Sequence, residues 1–481
     1  MIKLADLTTI TILAEAALQL AFVTRAILRP HREAAARLTW VVVILVLPVL
    51  GILLYILLGE VNTGRKHIER MRLAGLALPA LPEPRQEAWP AVPRRYAHIF
   101  RAGQSVNGFP PVSGNRVELL ASEEATIDAL VRDIDAAREH VHLVIYIWLD
   151  DRSGRRIAQA LIRAAGRGVA CRAMADDFGA RWMIRSDLWP AMAEAGVQLV
   201  RTLPIGNLVL HPFYARVDIR DHRKIVVIDS RITYCGSQNL ADREFHVEAR
   251  YAPWIDVMLR FEGPVALQNQ RVFAADWLGY AGENLGHLLA EPDVLAVEPG
   301  AVAQVIATGP LVRPSSMPEV FATMMYAARR ELVISTPYYI PDETLQAALC
   351  AAARRGIDTH LILPARNNSR IVACASRAYY GELLHAGVRI HEFVGGLLHA
   401  KTLVVDRGVV MVGSANLDRR SFHLNYENNI VLSDPGLAAE LRQRQQEYIE
   451  SAREVSEAEV LGWSRSRRLL YNGVAMFGPI L

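Results

Sequence analysis

The stretch His222-Arg-Lys224-Ile-Val-Val-Ile-Asp229, with Gly236-Ser237-Gln238-Asn239 after it, decides the reading of this chain because it occurs twice. The second copy is His399-Ala-Lys401-Thr-Leu-Val-Val-Asp406 with Gly413-Ser414-Ala415-Asn416. A constant offset of 177 residues links the two sets and continues through Leu240/Leu417, Arg243/Arg420 and Phe245/Phe422. Residues i and i+2 of a strand share a face, so each H-x-K presents an imidazole and an ammonium on one side, able to converge on one anion. The branched apolar residues between Lys and Asp read as buried strand.

The repeat reaches upstream of the motifs. His142-Leu-Val-Ile-Tyr-Ile147 matches Glu331-Leu-Val-Ile-Ser-Thr-Pro337 as a strand opening, Ala164-Ala-Gly-Arg-Gly-Val169 matches Ala352-Ala-Arg-Arg-Gly-Ile357 as a helix end, and Ala195-Gly-Val197 matches Ala386-Gly-Val388. Strands alternating with alanine-rich helical stretches imply βαβ crossovers and sheets covered by helices. The expected fold class is α/β, with two duplicated α/β/α domains at residues 111–295 and 296–481.

The doubled motif with its trailing G-S-x-N resembles the phospholipase D superfamily from roughly residue 110 to the end. The surroundings resemble bacterial cardiolipin synthases in Trp254-Ile-Asp256 with Glu262-Gly-Pro264, in Thr336-Pro-Tyr-Tyr-Ile-Pro341, in Gly395-Gly-Leu-Leu-His399, and in Asn416-Leu-Asp-Arg-Arg-Ser421 leading to Asn425-Tyr-Glu427. The resemblance implies two pseudo-twofold-related phospholipase D-like domains whose motifs meet at one active site. It also implies a reaction in which phosphatidyl passes from one phosphatidylglycerol to a second, giving cardiolipin and glycerol, and it favours His222 as nucleophile.

The residues permit that chemistry on their own terms. Cleaving a phosphodiester without a metal needs cations for the equatorial oxygens, a nucleophile, and an acid for the leaving alkoxide. Lys224 and Lys401 supply the charge. One imidazole of His222 and His399 can form a covalent phosphohistidine while the other donates and later removes protons. Ser237, Asn239, Ser414 and Asn416 are placed to hydrogen-bond phosphoryl oxygens. A neutral imidazole also needs its other nitrogen held, usually by a carboxylate. The superfamily resemblance points to Asp256 and Glu427, 34 and 28 residues beyond their motif histidines. Asp229 and Asp406, at the strand ends, take a supporting role. The other histidines show no metal-ligand spacing, and neither metal nor cofactor is expected.

The N-terminus says which phosphodiester. Leu38 to Leu58 carries no charge and is long enough to span a bilayer, while Leu7 to Leu28 is apolar but holds Glu15, Gln19 and Arg25. Residues 1–61 therefore read as a transmembrane helical hairpin, and 62–110 as a basic, proline-rich connector that is extended over Pro79 to Pro93. The apolar run Ile205 to Phe213 and the tail with Arg465, Arg467, Arg468, Leu469 and Leu470 are candidate interfacial segments. Arg and Lys placement leans towards catalytic domains on the cytoplasmic side of a bacterial inner membrane. Four scattered cysteines form no disulfide framework. A net charge of +3 disfavours nucleic acid as a partner and leaves phosphatidylglycerol and anionic lipids, with a homo-oligomer left open. A phospholipase D that passes phosphatidyl to water or another alcohol shares every one of these features. A catalytically idle membrane scaffold is disfavoured by the intact His, Lys, Ser and Asn in both halves.

Overall fold

The computed structural model describes residues 4–29, 34–81, 92–206, 215–216, 218–290, 300–313 and 315–478. Its first half contributes strands β1 (Val112–Leu119), β2 (His140–Ile145), β3 (Ala170–Asp176), β4 (Gln198–Thr202), β5 (Lys224–Ile228), β6 (Ile232–Gly236) and β7 (Met258–Glu262). The second contributes β8 (Ala301–Thr308), β9 (Glu331–Ser335), β10 (Asp358–Pro364), β11 (Arg389–Phe393), β12 (Thr402–Val405), β13 (Val409–Gly413), β14 (Asn425–Ser433) and a closing β15 (Ala452–Val455). The order from the centre outward is β1-β7-β6-β5-β2-β3-β4 in one direction and β8-β14-β13-β12-β9-β10-β11-β15 in the other. Apart from β15 the two halves have the same topology.

The half-sheets join where β1 pairs antiparallel with β8, and the register slips between Val112 and Asn115. Buried Asn115 bridges the slip: its Nδ2 donates to Ala301 O at 3.0 Å and its Oδ1 accepts from Val265 N at 2.8 Å. Such a pairing satisfies backbone groups that the bulge would otherwise orphan. One apolar cluster draws on both halves, from Val144, Ile225 and Leu259 to Val333, Val404 and Ile430, so neither half has a complete core alone.

The N-terminal segment departs from the expected hairpin in an instructive way. Helix α1 (Leu4–Leu28) is continuous and, over Thr9–Leu28, long and apolar enough to cross a membrane. The uncharged run expected to be one span is instead α2 (Ala34–Val46) and α3 (Pro48–Leu54), broken at Leu47. Pro48 removes an amide donor and pushes the residue before it out of the helical region, and Leu47 has φ −124° and ψ 76°. Polar residues of α1 find partners on this neighbour: Gln19 Nε2 donates to Ile44 O at 3.0 Å, and Arg25 meets Glu60 at 2.6 Å.

On either side of Pro79 to Pro93 the connector is helical. The basic cluster forms α4 (Arg65–Ala77), and a second helix, α5 (Ala97–Asn107), buries Ile99 and Phe100 in the core of the second half. Most of Pro79 to Pro93, most of Ile205 to Phe213 and the turn at 30–33 lie outside the described residues. The tail is the helix α6 (Arg465–Ala475), with Tyr471 buried and Leu469, Leu470, Met476 and Phe477 exposed.

Candidate active site

His222 and His399 sit just ahead of β5 and β12, and each is held by the opposite half. His222 N donates to Tyr426 O at 3.0 Å, and His399 N donates to Ile255 O at 2.8 Å. The next residue of each holding segment supplies the carboxylate. His222 Nδ1 lies 2.9 Å from Glu427, and His399 Nδ1 lies 2.7 Å from Asp256 Oδ1. Thus the acid that follows the first motif serves the second histidine, and the reverse. With Nδ1 bound in this way, Nε2 of each ring is left for a reactant.

Both histidines line one cleft of about 460 Å³, together with Asn239, Asn416, Tyr146, Trp254 and Tyr338. Tyr146 packs its ring 4.8 Å from that of His222, and Trp254 does the same for His399 at 4.8 Å. Lys224 and Lys401 are buried, and each Nζ donates to the carbonyl of its own histidine at 2.6 Å. These bonds tie the ammonium to the imidazole's backbone instead of leaving it to wander.

One expectation is corrected, and another gains its structural detail. Ser237 and Ser414, expected to face phosphate, are fully buried and turn towards the acids. Ser237 Oγ donates to Asp256 at 2.6 Å, and Ser414 Oγ donates to Glu427. A buried carboxylate needs donors, and the hydroxyls lie beside β7 and β14 where they can provide them. Asp229 and Asp406 lie at the far ends of their strands. Asp229 accepts from the backbone of Arg138, Glu139 and His140, and Asp406 from Arg329, Arg330 and Glu331, so each caps the turn that opens a neighbouring strand.

Electrostatics follow from burial beside like charge. Burial, then the lysines, holds both imidazoles low, His399 at about 4. Burial also lowers Lys224 to about 8 and Lys401 to about 7. The acids differ although their geometry is alike. Burial pushes Asp256 up, yet His399 and Lys401 outweigh it and hold the carboxyl at about 2, whereas burial prevails at Glu427 and raises it to about 7. Among the described residues no cluster of His, Cys, Asp and Glu could hold a metal ion.

Sequence reasoning missed Tyr146 and Asn425, whose Nδ2 donates to Glu427 at 3.1 Å. The signal for Asn425 was its place in Asn425-Tyr-Glu427, at the start of a strand whose first five residues, all polar or Tyr, are buried. Nothing in the spacing distinguished Tyr146 from a core aromatic.

Two families match. Residues 130–277 and 321–449 fit the model for "Cardiolipin synthase, PLD-like domain", and residues 17–60 fit that for the "Phospholipase_D-nuclease N-terminal" segment. Cardiolipin synthase A of Yersinia pseudotuberculosis is 38% identical over 449 residues, covering 90% of each chain, and that of Yersinia pestis matches equally. The crystal structure of phosphatidylserine synthase from Haemophilus influenzae has the same fold, with a TM-score of 0.59 at 14% identity, over 80% of this chain and 100% of that one. With both motif-bearing segments matched and relatives aligned nearly end to end, the chain belongs to the cardiolipin synthase family of the phospholipase D superfamily.

Proposed function

We propose that this protein is a membrane-bound phosphatidyltransferase that joins two phosphatidylglycerol molecules into cardiolipin and releases glycerol. The observation that carries the reading is the pair of crossed His–carboxylate dyads on one cleft, in a chain whose family makes this lipid. Nε2 of one imidazole attacks phosphorus as the bond to the headgroup glycerol breaks, and the other histidine, protonated, gives its proton to that oxygen. The same histidine then takes the proton of a headgroup hydroxyl on the second lipid, whose oxygen attacks phosphorus and releases the first imidazole. Lys224 and Lys401, with Asn239 and Asn416, balance the charge on the phosphoryl oxygens, while Asp256 and Glu427 stabilise whichever ring is cationic.

The apolar helix α1 supports membrane attachment. The polar pairing of α1 with α2 and Glu60 supports a two-pass anchor, and the basic residues of α4 support a cytoplasmic catalytic body. Incubating purified protein with detergent-dispersed phosphatidylglycerol and analysing lipids by mass is the test. Cardiolipin plus glycerol is the expected result. Phosphatidic acid instead would make water the acceptor and the protein a hydrolase.

A further inference from the structure

The repeat is not electrically symmetric. At the position two residues before each motif histidine the first half has Arg220 and the second has Leu397. Five residues beyond the ends of β3 and β10 stand Arg181 and Ser369. Arg420 lines the cleft, whereas its partner by the 177-residue offset, Arg243, lines a different pocket with Glu123 and Glu124. One side of a nearly twofold cleft therefore carries three guanidiniums that the other side lacks.

These cations are held in place. Arg220, 4% exposed, pairs with Asp176 at 3.2 Å, and its Cζ lies 5.7 Å from the centre of the Phe178 ring, which Arg181 Cζ also approaches, at 4.6 Å. Arg420, about one-third exposed, donates to Asp218 O, and the Asp218 carboxylate is shared with Arg216. All three act electrostatically on the Tyr146 hydroxyl, whose ring packs on His222. Asp418, which also lines the cleft, is pushed up to about 6 by burial and offsets at most one of the three charges.

The transferred phosphate already has two lysines and two asparagines, and the departing glycerol is neutral. A further anion is present in the proposed reaction only when the second lipid arrives, because its own phosphodiester stands one glycerol away from the hydroxyl that attacks. We infer that Arg220, Arg420 and Arg181 form a second phosphate-binding subsite, which seats the headgroup phosphodiester of the acceptor lipid. The inference rests on the phosphatidyltransferase reading. It explains how one cleft selects an anionic acceptor over the water and free glycerol that also reach it. Phe178 and Trp182, half-exposed beside the cluster, give the acceptor's acyl chains an apolar lip.

The test separates acceptors. Protein in detergent with phosphatidylglycerol and labelled glycerol forms cardiolipin from the anionic acceptor and exchanges label into phosphatidylglycerol through the neutral one. In Arg420→Gln, and in the charge-balanced Arg220→Gln/Asp176→Asn, the ratio of cardiolipin to exchange is expected to fall about tenfold or more through a raised KM for the acceptor, the scale of one lost charge-assisted contact. Parallel loss of both products, or an unchanged ratio, overturns the subsite. Wild-type protein yielding neither product would sink the transferase reading itself, a distinct outcome. Inorganic phosphate that alters exchange in wild type but not in Arg420→Gln would assign the cluster to a free anion and overturn the acceptor role.

Discussion

Asp256→Asn should disable His399, a residue of the other half, while leaving the His222 dyad intact. In the native site His399, 4% exposed, donates from Nδ1 to Asp256 across 2.7 Å, and Ser237 and the Val257 segment fix the acid in turn. The amide keeps the size but removes the charge that supports imidazolium beside Lys401. A hydrogen bond to a charged group contributes about 1.5–3 kcal/mol, a factor of roughly ten to more than a hundred. Where the same substitution also frees the wrong tautomer in a hydrolase triad, the cost reaches about ten-thousandfold. Turnover should therefore fall between about tenfold and ten-thousandfold, measured as cardiolipin formed from phosphatidylglycerol in detergent. The crossing has its own readout: of the two low-field Nδ1–H proton resonances, the one lost should belong to His399. A loss under threefold, or disappearance of the His222 resonance instead, refutes the crossed arrangement.

Glu427 at about 7 gains a proton as pH falls and stops holding His222, while Lys401 at about 7 and Lys224 at about 8 lose charge as pH rises. A bell-shaped kcat/KM profile with its maximum near neutrality follows, and a flat profile from pH 5 to about 9 would contradict these assignments. A chain cut to begin at Val92 should fold, whereas one beginning at Pro111 should lose Tyr96, Ile99 and Phe100 from the second half's core. At about 3–5 kcal/mol for each large side chain, thermal unfolding should show the second truncation severely destabilised. Asp229→Ala should lower Tm through three unanswered backbone amides, at about 1–3 kcal/mol, while changing kcat little. Asp229→Asn, which suits the left-handed φ of 49°, should cost less.

The in-register repeat of H-x-K-x-x-x-x-D with G-S-x-N was enough to read two α/β halves and the residue types of the chemistry, because strand periodicity and fixed spacing are local properties, whereas one shared site was an expectation that only the superfamily resemblance supplied. Asp256 and Glu427 were legible as the acids only through the superfamily resemblance, because their distances from the motif histidines differ, 34 against 28 residues. Their exchange between halves was not, since which carboxylate reaches which imidazole depends on how β7 and β14 approach the opposite motif. Tertiary contact likewise turned Ser237 and Ser414 from the cleft to the buried acids, where unsatisfied carboxylate oxygens are costlier than an unbonded phosphate ligand. Pro48 was visible in the sequence, but hydropathy sums residues without regard to the missing amide, so one apolar run hid two helices. The sequence determined what chemistry the chain can perform. Only the folded chain decided which side of the cleft is basic, because the charge of a pocket is set by side chains brought together from the short helix after β3, the segment before His222 and the short helix before β14.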